Sequence, residues 1–358
     1  MRLPVLQSTL ALLVIVAWLP SCGDSAEKPG VPVAVMTHNL YLGADLFPLA
    51  TVPTVDAIPG VTANIWANVQ ASDYPSRAKI FADQIIAFAP DLVALQEVSL
   101  YRIQRPSDFQ PGLTTPNATE VALDFLATLM AELDARGGGY RVAGEAVNAE
   151  AELPASDGAG GLFDLRLTDR DVILARDGVE TAAFVQSPFP DKLTVAVGGA
   201  SGASLAFTRS SSHLNASVGG VPFVFANGHL EVQLFQAIQM AQAQNMVDVL
   251  SPLPGPVILA GDFNSPPGLS SYPLITRAFK DAFPQTAGGA PGFTCCQTDA
   301  LTNPVSAANE RIDLILSRGP VRVKSVEVVG ADPVLGRTPA GLWPSDHFGV
   351  FARLEVVP

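Results

Sequence analysis

The sequence predicts an α/β fold in which two packed β-sheets carry helices on their outer sides. Apolar residues fill 48% of the 358 positions, which is enough for a buried core and excludes a disordered chain. Residues 91–97 and 257–260 are apolar runs that end on polar residues, as expected of strands buried on both faces. Between residues 140 and 226, short runs separated by Gly, Pro, Asp or Ser indicate strands and hairpins. Together with several helical segments, this pattern favours two layers of sheet in one domain over residues 33–358.

Residues 1–22 have the pattern of a secretory signal peptide. Arg2 precedes an apolar run over residues 10–19, which is too short for a stable membrane span, and small residues follow. Leu19-Pro20-Ser21-Cys22 resembles a bacterial lipobox, in which the cysteine is lipidated after cleavage. We therefore expect an exported protein: a periplasmic or cell-surface lipoprotein that contacts the membrane only through Cys22, or a secreted protein. The alternative is a buried N-terminal helix.

Residues 23–32 are predicted as a linker, and the first strand follows at residues 33–36. Residues 48–75 contain several prolines and little periodicity, which predicts a long surface loop. Its apolar side chains either form a rim that contacts lipid or pack onto the sandwich; they are Ile58, Val61, Ile65 and Trp66.

Apolar residues at helical spacing predict three helices, over residues 76–89, 120–136 and 231–250. Pro90 ends the first of them, and three consecutive glycines follow the second. A shorter helix is expected near residues 270–280, followed by a turn-rich segment over 284–309. The remaining strands are predicted at residues 140–147, 171–175, 181–185, 192–197, 204–208, 222–226, 312–317, 321–329 and 348–356.

The three cysteines are informative about covalent structure. If Cys22 carries a lipid, Cys295 and Cys296 remain as an adjacent pair. Neighbouring Cα atoms are about 3.8 Å apart, which is closer than most disulfides allow. A strained bridge and two free thiols both remain open.

Polar side chains stand at the ends of several apolar strands, where one edge of a sheet presents them to a common cleft. A single acid or histidine in such a place is usually a turn residue or a structural histidine, but here the pattern repeats along the chain. The residues concerned are Asn39, Glu97, His229, Asp262, Asn264, Asp313, Asp346 and His347.

These residues lie in six short motifs that occur in the order of a known family. The chain resembles the endonuclease/exonuclease/phosphatase superfamily, whose fold is the deoxyribonuclease I-like four-layer α/β sandwich of two packed mixed β-sheets flanked by helices. The resemblance covers about residues 33–356, nearly all of the chain after the signal segment. The motifs are Thr37-His38-Asn39-Leu40, Leu95-Gln96-Glu97-Val98, Gly228-His229-Leu230, Gly261-Asp262-Phe263-Asn264, Arg311-Ile312-Asp313 and Ser345-Asp346-His347.

The resemblance implies a metal-dependent phosphoesterase. Hydrolysis of a phosphoester needs a cation beside the phosphate, an activated water and donors for the developing charge. Glu97 is the leading metal ligand, with Asn39 and Asp346 close to it. The oxygen donors suit Mg²⁺, with Mn²⁺ or Ca²⁺ as alternatives.

The same resemblance implies roles for the remaining residues. His347 is the general base or the group that polarises the phosphate, and Asp313 orients it. Asp262 and Asn264 position the water and bind the phosphate. His229 stabilises the transition state or protonates the leaving oxygen.

Two weaker matches complete the predicted site. Asp169 precedes a strand at the place where secreted deoxyribonucleases carry an acid that pairs with the first catalytic histidine, so it is the candidate for orienting His229. A charged strand entrance is the alternative. Arg209 stands at a position that resembles a phosphate-binding arginine, and a solvated arginine is the alternative.

The substrate is left open among a small phosphodiester, a phospholipid headgroup and extracellular nucleic acid. A formal net charge of −13 argues against a protein that binds nucleic acid non-specifically through its phosphates. The first hypothesis is an exported phosphodiesterase that acts as a monomer. The alternatives are a secreted deoxyribonuclease or other endonuclease, a sphingomyelinase-like phosphodiesterase, and a catalytically inactive surface binding protein on the same fold.

Overall fold

Two mixed β-sheets pack face to face, and helices cover their outer sides, which is the predicted four-layer α/β sandwich. The computed structural model describes residues 29–110, 115–199, 202–286, 288–332 and 336–358, so the predicted signal segment with Cys22 and most of the predicted linker lie outside the described residues. The strands are β1 (Val31–Asn39), β2 (Leu92–Gln96), β3 (Leu100–Gln104), β4 (Glu120–Asp124), β5 (Tyr140–Ser156), β6 (Leu162–Arg176), β7 (Glu180–Pro188), β8 (Leu193–Val197), β9 (Ala203–Phe207), β10 (Ser210–Val218), β11 (Val221–His229), β12 (Val257–Asp262), β13 (Lys280–Asp281), β14 (Asp313–Arg318), β15 (Val321–Val329) and β16 (Gly349–Val356). The α-helices are α1 (Ile58–Ala71), α2 (Tyr74–Phe88), α3 (Phe125–Ala135), α4 (Gln236–Leu250), α5 (Ser271–Ala278) and α6 (Phe283–Thr286).

The first sheet has eight strands and joins the first and last strands of the chain. Its order is β15-β16-β1-β2-β6-β3-β4, and β5 pairs with β6. Strand β1 runs antiparallel to β16 and parallel to β2. In this register Asn39 lies opposite Gln96, so Glu97 directly follows the end of β2 beside Asn39.

The second sheet has six strands in the order β13-β14-β12-β11-β10-β7. Strands β11 and β12 are parallel, and β14 runs antiparallel to β12. The register sets His229 opposite Asp262 and Asp262 opposite Asp313. Three predicted site residues from distant parts of the sequence are thereby adjacent at one edge of this sheet.

Three apolar layers hold the sandwich together. Val35, Ala94, Phe225 and Ile258 lie between the sheets and are fully buried. Helices α1 to α3 cover the first sheet through a second cluster, and α4 and α5 cover the second sheet through a third. Because these layers bury side chains from both ends of the chain, the strand ends at the site are held in fixed positions.

Helix α2 shows why a local pattern predicted its helix correctly. The Asp73 carboxylate accepts a hydrogen bond from the Ser76 backbone N–H at 3.4 Å and caps the N-terminus. Pro75 lies in the first turn, where it removes no helical hydrogen bond. At the other end Ala89 takes a left-handed conformation before Pro90, and the helix stops.

The predicted surface loop over residues 48–75 is wrong, because this segment contains helix α1 after two short 3₁₀ turns. Pro59 and Gly60 had the appearance of helix breakers, but they occupy the first turn, where proline is tolerated. Ile58 and Ile65 are buried in the core, and Val61 and Trp66 pack against it. Of the two alternatives for these side chains, packing onto the sandwich is therefore confirmed, and a lipid-contacting rim is not formed by them.

Other boundaries moved where tertiary pairing overrode local propensity. The helix predicted over residues 120–136 begins only at Phe125, because residues 120–124 pair with β3. The helix predicted over residues 231–250 begins at Gln236. Strand β10 was not predicted at all, since its Ser-rich sequence shows little apolar alternation. None of the described helices is long and apolar enough to cross a membrane.

Candidate active site

The carboxyl ends of β1, β2, β11 and β12 meet at one edge of the sandwich, and the predicted site residues gather there. Asn39 links the two sheets at this edge. Its Nδ2 donates to Asp262 Oδ2 at 3.0 Å and to Glu97 Oε1 at 3.2 Å. Asn39 is 1% exposed, and its own Oδ1 accepts the backbone N–H of Tyr41. Asn39 therefore joins the site through its amide nitrogen and orients the two carboxylates.

Asp262 lies at the centre of this group. Its Oδ2 is 3.7 Å from His229 Nε2 and 3.9 Å from His347 Nε2, so the two imidazoles approach one carboxylate oxygen from different sides. The other oxygen, Oδ1, accepts the backbone N–H of Asn264 at 2.9 Å. Because Asp262 is 1% exposed, its charge acts on both imidazoles with little screening by water.

His347 forms a buried pair with Asp313, as the resemblance implied. The distance from His347 Nδ1 to Asp313 Oδ2 is 2.9 Å, and the second ring nitrogen is left to face Asp262. Burial by itself lowers the pKa of His347, but Asp313, Asp262 and Asp346 outweigh it and raise that pKa well above the usual value. The imidazolium form is therefore favoured, which suits a group that donates to a phosphate oxygen.

His229 is oriented by Asp171 and not by Asp169, which sequence analysis expects in this role. The distance from His229 Nδ1 to Asp171 Oδ1 is 3.3 Å. Both acids point to the same face of β6 because they are two residues apart, but only Asp171 is level with His229. Burial, followed by the charge of Arg209, lowers the pKa of His229 to about 4, so its imidazole is neutral near pH 7.

Asp169 lies in the same region and has a different environment. It is 8% exposed, and its Oδ1 makes no hydrogen bond to any residue that the structure describes. Burial and the neighbouring Asp171 raise the pKa of its carboxyl group well above the usual value. We therefore place Asp169 beside Arg209 and Glu97 as part of the site wall.

Arg209 lies directly against the His229 ring, with Nη1 in contact with both ring nitrogens and 2.8 Å from Nδ1. Burial alone would lower its pKa, but Glu231, Asp169 and Glu97 raise it, so the guanidinium keeps its charge. A charged arginine at the inner end of the cleft fits the predicted contact with phosphate, since guanidinium N–H groups match phosphate oxygens. The alternative of a freely solvated arginine does not describe this environment.

Glu97 and Asp346 are the carboxylates available to a cation. Glu97 Oε2 accepts the backbone N–H of Leu42 at 2.8 Å, which fixes the side chain toward the cleft. Burial raises the pKa of Asp346, and Glu97 and Asp262 add to this effect, whereas His347 opposes it. A positive charge beside Asp346 would favour its ionised form.

This donor set fits a hard divalent cation. Glu97, Asp346 and Asp262 offer carboxylate oxygens, which Mg²⁺ prefers, and Mg²⁺ commonly binds one or two carboxylates and keeps its waters. A different group of ligand atoms, from Asp262, Asp313 and His347, lies within 4.8 Å, but the His347–Asp313 hydrogen bond already uses two of its members. The residues that would hold a metal are therefore Glu97 and Asp346.

Two of the site residues have backbone conformations that side chains other than glycine rarely adopt. Glu97 has φ of 54° and Asn264 has φ of 47°. Asparagine tolerates the left-handed region, whereas glutamate does so at a cost that the surrounding structure must compensate. For Asn264 two hydrogen bonds compensate this cost. Asn264 Nδ2 donates to the Leu230 carbonyl, and Gln239 Nε2 donates to the Asn264 carbonyl.

Sequence reasoning missed the residues that support the site from behind. Arg77 on α2 is fully buried and donates to the carbonyls of Leu40, Tyr41 and Pro344, which lie in the segments carrying Asn39 and Asp346. The helical pattern of the sequence gives Arg77 no role. A buried arginine surrounded by carbonyls becomes visible only when the loops are in place.

A second supporting segment contains the adjacent cysteines. The structure brings the sulfur atoms of Cys295 and Cys296 into direct contact, the placement that a bridge between them requires. Thr294 Oγ1 accepts the backbone N–H groups of Ile312 and Asp313, each at 3.2 Å. The segment thus packs against the backbone on both sides of the His347–Asp313 pair, because the Phe348 N–H donates to the Thr294 carbonyl.

Comparison with known proteins bears directly on this arrangement. The family model described as endonuclease/exonuclease/phosphatase matches residues 36–347, which include every site residue placed above. The chain belongs to this family. Members of the endonuclease/exonuclease/phosphatase family are typically hydrolases that act on phosphoesters, and they usually use divalent metals. No curated protein matches the chain.

Solved structures share the fold at low sequence identity. An endonuclease/exonuclease/phosphatase family protein from Bacteroides thetaiotaomicron is 17% identical, with a TM-score of 0.56, and the match covers 91% of this chain and 98% of the other. A family protein from Leptotrichia buccalis is 15% identical, with a TM-score of 0.55, over 90% and 99% of the two chains. TDP2 from D. rerio, solved with a single-strand DNA product, is 16% identical, with a TM-score of 0.52, over 90% and 98%. At these identities the similarity establishes the fold alone.

Proposed function

We propose that this chain is an exported phosphodiesterase that depends on a divalent metal and hydrolyses its substrate by in-line attack of water. The observation that carries the proposal is the convergence on Asp262 Oδ2, with Asn39 at 3.0 Å, His229 at 3.7 Å and His347 at 3.9 Å. A carboxylate with two imidazoles and an amide around it is a suitable arrangement for moving protons at a phosphorus centre. A binding protein without activity has no need of these three contacts.

The residues divide the reaction between them. Asp262 accepts a proton from the attacking water, and Asn264, held beside it, fixes the direction of attack. The bond from phosphorus to the leaving oxygen breaks as the bond to water forms, and that oxygen takes up a proton. His347 donates to a non-bridging phosphate oxygen. His229 is neutral and keeps its Nδ1 proton toward Asp171, so its Nε2 takes the water proton from Asp262 and then gives that proton to the leaving oxygen.

A bound Mg²⁺, held by Glu97 and Asp346, would supply positive charge beside the phosphate; Mn²⁺ and Ca²⁺ are the alternatives. Arg209 supplies a second positive charge from the chain itself. The site therefore neutralises an anionic substrate in a protein whose formal net charge is −13.

The test is hydrolysis of bis-p-nitrophenyl phosphate, plasmid DNA and sphingomyelin, with Mg²⁺ or with EDTA. Glu97→Gln and His347→Gln keep the size and polarity of each side chain. Each should reduce turnover by about a hundredfold or more if the residue acts in the reaction. Asp248→Asn, an exposed acid on α4, is the matched control. Turnover that survives both EDTA and Glu97→Gln contradicts metal dependence, and a folded protein with no turnover favours the inactive binding protein.

Export and lipidation rest on the sequence of residues 1–22. Labelled palmitate should enter the full chain in bacterial cells, and Cys22→Ser should abolish the label while leaving the protein outside the cytoplasm. Absence of label together with recovery from the medium would favour the secreted form. Retention in the cytoplasm would contradict export. We propose further that the protein acts as a monomer, which sedimentation at several concentrations would test.

A further inference from the structure

A cavity of about 380 Å³ opens directly beside the proposed catalytic residues. Glu97, Arg209 and Asp346 form its inner end, so any molecule in it is adjacent to the reacting phosphate. Its outer walls are largely apolar and consist mainly of Leu46, Phe47, Leu49, Val195, Phe207 and Phe235. A site that needed only to hold a phosphate and a cation would not require this apolar extension.

Three segments far apart in sequence build these walls. Residues 42–50 follow β1, the β8–β9 ribbon contributes Val195 and Phe207, and Phe235 follows β11. The rings of Phe47 and Phe235 stack with centroids 6.3 Å apart and planes inclined by 28°. Phe47 nevertheless remains 47% exposed, so its ring keeps apolar surface available at the mouth of the cavity.

The charges on the cavity walls restrict what can lie there. Asp45, Glu231 and Asp299 line it in addition to the two carboxylates of the metal site, and Arg209 is the one basic residue among its lining residues. Glu231 is 3% exposed, and its Oε2 has no hydrogen-bond partner among the residues that the structure describes. A second phosphate beside the reacting one would meet this acidic wall, so a polynucleotide is disfavoured here.

We propose that this cavity binds an uncharged, apolar ester group of the substrate, so that the enzyme cleaves phosphodiesters with an aryl or alkyl group beside the scissile phosphate. The inference rests on the proposed phosphodiesterase function and specifies its substrate class. Phe47 and Phe235 are then specificity-determining residues, since they contact the ester group and not the reacting atoms. Soluble aryl esters and lipids share this chemistry.

The experiment compares two substrates with the same leaving group, p-nitrophenyl phenyl phosphate and p-nitrophenyl methyl phosphate. The ratio of their kcat/KM values should fall by about tenfold in Phe47→Ser and in Phe235→Ser, because one side of the phenyl ring loses its apolar contact. Leu162→Ser removes a comparably exposed side chain, 45% exposed, at the start of β6 and should leave the ratio unchanged. An unchanged ratio in both Phe variants would overturn the inference while leaving phosphodiesterase activity established.

Two further experiments distinguish a lipid from a soluble ester as the source of the apolar group, and test the apolar subsite separately from the phosphodiesterase function. Hydrolysis of phosphatidylcholine vesicles that falls in Phe47→Ser identifies lipid as the source, whereas cleavage of the phenyl diester alone identifies a soluble ester. If the wild-type protein cleaves none of these, the proposed function fails, and calorimetry with diphenyl and dimethyl phosphate still tests the cavity. Tighter binding of diphenyl phosphate that Phe47→Ser removes supports the apolar subsite, and equal affinities overturn it.

Discussion

Replacing Asp313 by asparagine tests how the structure positions and charges His347. The variant keeps the size of the side chain but removes the carboxylate that lies 2.9 Å from His347 Nδ1. Both residues are buried, and hydrogen bonds to charged groups contribute about 1.5–3 kcal/mol. At 1.4 kcal/mol for each factor of ten, we expect kcat/KM to fall by about 10- to 150-fold.

The pH profile supplies a second readout that simple damage to the fold would not produce. Asp313 is the strongest of the acids that raise the pKa of His347, so the neutral amide lowers that pKa. If the imidazolium donates to the phosphate, activity is lost as pH rises through this pKa, and the alkaline limb moves to lower pH in the variant. The profile of kcat/KM against pH measures this directly.

Asp248→Asn is the control for the loss of an acid without contact to the site. Thermal unfolding checks that each variant is folded: Asp248→Asn should match the wild type, whereas Asp313→Asn should unfold cooperatively at a lower Tm because it loses a buried hydrogen bond. An Asp313→Asn protein with wild-type kcat/KM and an unmoved alkaline limb would refute the assigned role of the pair. A limb that moves to higher pH would refute the assignment of His347 as the protonated donor.

Four further predictions concern the metal, the second histidine and the core. Mg²⁺ should raise the Tm of the wild type but not of Glu97→Gln, and a similar rise in both would exclude Glu97 as a ligand. Asp171→Asn should lower kcat by about tenfold or more through loss of the His229 contact, while Asp248→Asn should not. Gly349→Ala should destabilise the protein by about 1–3 kcal/mol in urea unfolding, because its Cβ would lie 2.4 Å from the His38 ring; wild-type stability would contradict this. Burial lowers the pKa of His38 to about 4, below the unfolded value of about 6.5. The unfolded state therefore takes up the proton first, and the free energy of unfolding should fall by about 3 kcal/mol as pH drops from about 6.5 to about 4. His38→Gln should flatten that part of the stability profile, and an identical slope would show that other groups cause it.

Local sequence was sufficient wherever the physical cause is itself local. The end of a buried strand places its first polar residue at the sheet edge, so Glu97 and Asp262 were recognisable as candidate site residues before their positions were known. Two layers of sheet with helices outside followed from the same apolar runs and the helical spacing between them, and the resemblance implied the four-layer sandwich. Helix α2 was predicted because its apolar face and the prolines near its two ends are contiguous in the chain.

Other features depend on contacts that no local pattern contains. Pro59 and Gly60 in the first turn of α1 indicate a loop, although the segment is a helix. The helix is recognised only from the packing of its apolar face on the core. The choice between Asp169 and Asp171 as the partner of His229 depends on the level of β6 relative to β11, which lie in different sheets. A residue shift of two along a strand keeps the side chain on the same face, so the sequence pattern is identical for both acids.

The sequence by itself determined which polar groups stand at the strand ends, because residue type and strand position both follow from the local sequence. The tertiary structure alone decided which of these groups meet, since the sheets bring residues such as Asn39 and Asp262, 223 positions apart, within 3.0 Å. It alone also formed the apolar cavity from three separated segments. Distances between segments are set by the packing of whole layers, and that packing is a property of the complete fold.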